Sequence, residues 1–294
     1  MRKIRSKKQV VFPSYCTSLT TLRKPEIVWL ATHYCSYSRW RYPSYLENYN
    51  CFLEEHPELT GRFPPHLGSL YRLSKKDIIY LSTHYCSKVQ YSRPLYISNY
   101  KQFAKEHPEM IERIGFLDIE ASNFDANFGI MLTYCIKDSQ TGKILWGMIK
   151  KKDISKYPPD KTDTRVVKKI VRDIKKFDRI VTHYGRRFDI PFIRTRALYD
   201  GIKFPDFGLI SNDDTWLIAR RKLKLNSNRQ DTINLTLFGD THKTHIEFQY
   251  WIAGTRGDKE SLDHILDHNK RDVIDLERAW KKLYPFVGRY NTSI

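Results

Sequence analysis

IGFLDIEASNF, residues 114–124, ends an apolar run in two acids, Asp118 and Glu120, with a single residue between them. On a β-strand, positions i and i+2 point to the same side, so both carboxylates leave one face of a rigid element together. Adjacent acids repel and shift each other's pKa, whereas hard divalent cations such as Mg²⁺ bind through oxygen ligands of this kind. The stretch predicts a strand that ends in a cation site. The chain around it is basic, with 51 Lys and Arg against 33 Asp and Glu and a formal net charge of +18. A basic chain that gathers acids at one strand end fits an enzyme that holds a polyanion and cuts it with metal.

Outward from this strand, apolar runs at 128–136 and 143–149 read as two more strands, the pair joined by the turn DSQTGK. Val166, Val167, Ile170, Val171 and Ile174 share one helical face, and Arg179 to His183 reads as a short strand after it. Helices are expected at 190–200, at 214–222 and from about 260 to 284. Three antiparallel strands followed by helix, strand and helices make a mixed α/β layer fold.

Two further acids fall on these elements. Asp189 opens a helix in VTHYGRRFDIPFI (181–193), a position where a carboxylate also serves as a plain cap. In LDHNKRDVIDLERAW, His268 and Asp272 are four residues apart on a helix and share its face. Asp214, in SNDDTW, reads as the cap of the next helix or as an acid supporting the site. In this order and on these elements, the pieces resemble the DEDD family of 3′-5′ exonucleases with the ribonuclease H-like fold. Asp118-Ile119-Glu120 matches the D-x-E of the first strand, Phe188-Asp189 the middle motif, and Asp272 with His268 the last. The texture is similar to the predicted-exonuclease branch, whose motifs read T-x-N-G-x-x-F-D-x-P and Y-N-x-x-D-V, and the resemblance covers about residues 112–285. Tyr184 stands where that branch commonly has Asn, and His268 has the spacing at which the tyrosine subclass places Tyr. The resemblance implies a ribonuclease H-like mixed sheet flanked by helices, and a two-metal phosphodiester hydrolysis on DNA or RNA. In it Asp118, Glu120, Asp189 and Asp272 hold two Mg²⁺ or Mn²⁺ ions, and His268 orients or deprotonates the attacking water. Arg186, Arg187, Lys243 and Arg271 lie in or beside the motif segments and are candidate phosphate contacts, with a solvated basic surface as the alternative reading.

The first third of the chain has a different texture. Residues 12–59 recur at 63–110 with a constant offset of 51, and 22 of the 48 aligned positions are identical. THYCS and NYxxFxxEHPE are the best-matched blocks. This is a tandem duplication. Each copy reads as two or three short helices: an apolar run (Ile78, Ile79, Leu81), a proline break, then Tyr96, Tyr100 and Phe103 at helical spacing. Pro57 and Pro108 stop the second helix. The expected organisation is a basic tail at 1–11, a mainly α-helical module in copies at 12–62 and 63–111, and the ribonuclease H-like domain at 112–294. Residues 1–110 carry 17 Lys and Arg against 8 Asp and Glu with many aromatics between them, which suits phosphate contact and base stacking, although small units bury most of their aromatics. His33, Cys35, Cys51 and His56 form a chemically adequate zinc set, but copy two has Gln102 in place of Cys51 and the H-x-C pair is tighter than common fingers use.

Composition narrows the classes further. Hydrophobic residues at 40% and aromatics at 14% argue for folded protein. Five cysteines, an odd count in a chain of this size, do not form a disulfide framework, and no uncharged apolar run is long enough for a membrane helix. A soluble protein of a reducing, cytoplasmic compartment is expected. Three functional classes remain: a metal-dependent exonuclease, or a structure-specific endonuclease of the same fold; a catalytically silent nucleic-acid-binding protein; and an interaction protein whose repeats bind another protein. All four acids being present argues against silence.

Overall fold

The computed structural model describes residues 22–33, 73–84, 111–242 and 244–286. The chain divides into two compact units, Met1–Glu112 and Arg113–Ile294. In the first, the described elements are two helices, α1 (Lys24–His33) and α2 (Lys75–His84). They lie 51 residues apart and bury equivalent residues, Leu22 with Leu73 and Ile27 with Ile78. Their entries differ: Arg23 N–H donates to the Glu26 carboxylate, whereas Asp77 N–H donates to Ser74 Oγ. The remaining parts of the two expected repeat copies, and the basic tail, lie outside the described residues.

The second unit is a five-stranded mixed sheet of order β3-β2-β1-β4-β5, built from β1 (Ile114–Ala121), β2 (Met131–Asp138), β3 (Ile144–Met148), β4 (Arg179–Thr182) and β5 (Ser211–Asp214). The first three strands are antiparallel neighbours, and β4 and β5 join in parallel. Its helices are α3 (Lys151–Lys156), α4 (Thr164–Ile174), α5 (Asp189–Tyr199), α6 (Thr215–Lys222), α7 (Gln230–Phe238), α8 (Phe248–Thr255) and α9 (Lys259–Leu283).

Alternation along the strands assigns the layers. Phe116 meets Trp280 of α9 edge-on at 5.6 Å, so the even-numbered face of β1, with Asp118 and Glu120, looks toward α9. Thr133 of β2 pairs with Glu120 and shares that face; its neighbour Tyr134 points the other way and donates its hydroxyl to Asp173 of α4 at 2.6 Å. The sheet therefore lies between α9 and α4. α4 covers its face with Val166, Val167, Ile170, Val171 and Ile174, all buried, as their spacing predicts. Each side chain of this size contributes about 1.5–3 kcal/mol on burial.

Two departures from the sequence reading have clear causes. The second strand begins at Met131 rather than near 128, because Asn123 to Ile130 form a turn closed by Gly129 N–H to Asp125 O, which leaves Phe128 exposed. β5 has no apolar run to announce it, since its sequence is SNDD. Hydrogen bonds replace apolar packing there: Asn212 Nδ2 donates to Ile180 O, and Asp213 accepts from Arg179 Nη1 at 2.7 Å and from Trp280 Nε1 at 3.0 Å.

Candidate metal centre

β4 pairs with β1 only from Ile114 to Phe116, so further along β1 the amides on that side need another acceptor. Asp189, the first residue of α5, supplies it: its Oδ1 accepts from Ile119 N at 3.1 Å, between Asp118 and Glu120 in the sequence. On the other side, α9 lays His268, Asn269 and Asp272 against the acidic face of β1. Asn269 Nδ2 donates to Asp118 Oδ2 at 2.5 Å. His268 Nε2 is 3.2 Å from Asp272 Oδ2 and 3.6 Å from Glu120 Oε1, while Thr244 Oγ1 lies 2.8 Å from its Nδ1 and fixes the ring.

Ligand atoms of Glu120, His268 and Asp272 lie within 4.8 Å of one another, the grouping among the described residues with the chemistry to hold a metal ion. Cys135, directly opposite Asp118 in the ladder, reports the combined field: burial pushes its thiol well up, and Asp118, Glu120 and Asp272 push it further while Lys270 opposes them. Burial likewise raises the Asp189 carboxyl from 3.8 to about 7, against the Ile119 amide, which favours the charged form; Asp214 adds a smaller push upward. The carboxylate oxygens of Glu120 and Asp272 suit a hard divalent cation, and the His268 imidazole beside them is a borderline donor free to act on a water instead. Asn269 Oδ1, beside it, is buried with no hydrogen-bond partner.

The loop between β4 and α5 is set by Asp214. Its Oδ1 caps α6, accepting from Trp216 N and Leu217 N, and also accepts from Tyr184 N at 3.0 Å; Oδ2 accepts from Arg186 N at 3.1 Å. Tyr184 adopts φ +62°, the left-handed region that Asn enters far more readily than an aromatic residue. Its ring is held edge-on to Trp216 at 5.0 Å, with Arg187 over both rings at 5.9 and 5.8 Å. A Cβ on the next residue, Gly185, would run into the Thr182 side chain, so this turn needs glycine.

The remaining expected contacts are distributed as follows. Arg186 directs its guanidinium inward, Nε to Asn212 Oδ1 at 3.0 Å and Nη2 to Asn212 O at 2.6 Å, tying the loop to β5. Arg271 pairs with Asp267 at 2.7 Å. Lys243 lies outside the described residues, as do Cys35, Cys51 and His56; His33 ends α1, and its side chain is not described. The sequence reading passed over Asn269 and Thr244. Asn269 carries a signal, because it follows His268 and matches the Asn of Y-N-x-x-D-V; Thr244, 24 residues before His268, carries none.

The sequence matches the family model RNase_H_2, described as RNase_H superfamily, over residues 115–284. The chain belongs to the RNase H superfamily. Among solved structures it is similar to the family B DNA polymerase from the hyperthermophilic archaeon Pyrobaculum calidifontis, with 19% sequence identity and a TM-score of 0.49 over 59% of this chain. The similar region makes up 25% of that polymerase chain, so this chain spans only about a quarter of its length. No curated protein matches. No helix among the described residues is long and apolar enough to cross a membrane.

Proposed function

We propose that the chain is a metal-dependent nuclease that hydrolyses phosphodiester bonds of DNA or RNA, acting as a 3′-5′ exonuclease of the DEDD type. The observation that carries this is the meeting of β1 and α9: a D-x-E face against a helix that presents His268 and Asp272, with donor atoms of Glu120, His268 and Asp272 inside 4.8 Å. Asp118, Glu120, Asp189 and Asp272 would hold two Mg²⁺ or Mn²⁺ ions, which supply a more acidic water and a stabilised leaving oxygen.

The chain's own groups do the rest. His268, its Nδ1 anchored by Thr244, directs Nε2 into the space between Glu120 and Asp272, where it orients a water and takes its proton. Asn269 holds Asp118 at a fixed rotamer. Asp214 fixes the loop that carries Tyr184 and leads into Asp189. The duplicated module, with its excess of basic residues, tethers the nucleic acid.

End-labelled single-stranded and duplex DNA and RNA, incubated with Mg²⁺, Mn²⁺ or EDTA, test the reading. A ladder shortening from the 3′ end only with metal supports it, and internal cuts shift it to an endonuclease of the same fold. Asp118→Ala and Asp272→Ala should each abolish cleavage while the protein stays folded; unchanged cleavage in both rejects the assignment.

A further inference from the structure

A cavity of about 920 Å³ opens between the corner where β3 enters α3 and the turn from α8 to α9. Its floor is apolar, with Met148, Ile252 and Leu262, and its rim carries Lys150, Lys151, Arg256 and Lys259. Lys259 pairs with Asp263. Asp258, the acid on the rim, is engaged by its own helix, accepting from Ser261 N and Oγ. Lys150, Lys151 and Arg256 are left as exposed cations with no ion pair among the described residues.

Both walls are built rigidly. Buried Asp153 accepts from Lys150 N at 2.9 Å and is clamped by Arg165, which also donates to Met148 O at 2.7 Å. On the facing wall Gly257, at φ +80°, sits so close that a Cβ there would come within 2.7 Å of Ile154 Cδ1 and 3.1 Å of Lys151 Cα. The glycine lets the two basic walls meet.

Register fixes the distance to the chemistry. Thr133 is the ladder partner of both Glu120 and Met148, so Met148 lies on the same face as Glu120 and two strands away, about 10 Å. Along α9, Leu262 precedes His268 by about 9 Å of helix rise. Thr133 Oγ1, between cavity and acids, is buried with no hydrogen-bond partner.

We propose that this cavity is a nucleotide subsite for the substrate strand, with a phosphate on Lys150, Lys151 and Arg256 and the attached base or sugar on the Met148, Ile252 and Leu262 floor. It rests on the nuclease reading and names where the strand continues beyond the cleavage point. Apolar floor and cationic rim together match a nucleotide better than a bare phosphate, which has no use for the floor, or a neutral ligand, which has none for the rim.

The test separates the two readings. Full-length protein carrying Asp118→Ala is titrated in EDTA against fluorescein-labelled dT12 and U12 over a range of salt, with and without Lys150→Ala/Lys151→Ala/Arg256→Ala. The control removes Lys143, Lys168 and Arg172, on the β2–β3 turn and on α4 across the sheet. The pocket variant should bind at least about 10-fold more weakly at 0.1 M salt and lose about 2 from its log–log salt slope, while the control changes little. Ile252→Asp should weaken binding further, and all variants should keep the parent unfolding midpoint. Equal binding by pocket variant and parent, an equal loss in the control, or no binding by the parent overturns the subsite; metal-dependent cleavage by the unmodified enzyme judges the nuclease reading separately.

Discussion

Replacing Asp189 by Asn should stabilise the metal-free protein at alkaline pH. The carboxyl is buried, and burial raises it from 3.8 to about 7 in the folded chain. A raised carboxyl binds its proton more tightly folded than unfolded, so its contribution to stability is complete below about pH 4 and is lost as pH climbs through 7. Three pKa units at about 1.4 kcal/mol each set an upper bound near 4 kcal/mol for ionised Asp189 above pH 7.5. Asn keeps an oxygen for the Ile119 amide and has no charge to bury. Without metal at pH 8, Asp189→Asn should therefore unfold about 5–12 °C above the unmodified protein, a gap that closes by about pH 4.5. The assay is thermal unfolding in EDTA across pH 4.5–8.5. Excess Mg²⁺ or Mn²⁺ should then raise the unmodified protein, whose carboxylate it neutralises, by more than the variant. An Asn variant that unfolds at or below the parent temperature at pH 8 would refute the reasoning, because burial would then not be the dominant influence on this group.

Other outcomes follow from neighbouring contacts. His268→Gln should preserve folding and metal-induced stabilisation yet lower kcat by about 100-fold or more, since an amide cannot take a proton from water; steady-state cleavage rates decide it. Asp214→Ala removes the acceptor of four backbone amides and should cost about 2–4 kcal/mol, seen as a lower denaturation midpoint with a matching loss of activity. Gly185→Ala should destabilise by about 2 kcal/mol or more, because the added methyl overlaps Thr182, and chemical denaturation measures the loss.

The sequence is most legible where one residue pattern has one structural solution. The apolar run before Asp118 makes a buried strand, and the i, i+2 acids on it share a face whatever surrounds them. The i, i+4 pair on α9 is equally direct, and here the helix is long, capped by Asp258 and apolar along one side. β5 resists such reading because its burial depends on partners distant in the chain: Arg179 and Trp280 for Asp213, and the Ile180 carbonyl for Asn212. For the same reason Arg186 reads from sequence as a phosphate contact, while the fold turns it onto Asn212. The Asp214 cap is visible locally, but its hold on Tyr184 and Arg186 requires two parallel strands to end side by side. Short helices α3, α7 and α8 lack the sustained periodicity that made α4 plain.

The polar character of β5 also bears on how molecules meet each other. An open sheet margin is a template on which another chain can add a strand, and long flat apolar margins promote clumping. Here the margin runs for only four residues, Ser211–Asp214, and two of its side chains are aspartates drawn inward by bonds within the same molecule. An intruding strand would find little ladder to extend. The hydrogen bonds that brace the β4–α5 loop thus also keep this border of the sheet from recruiting neighbours.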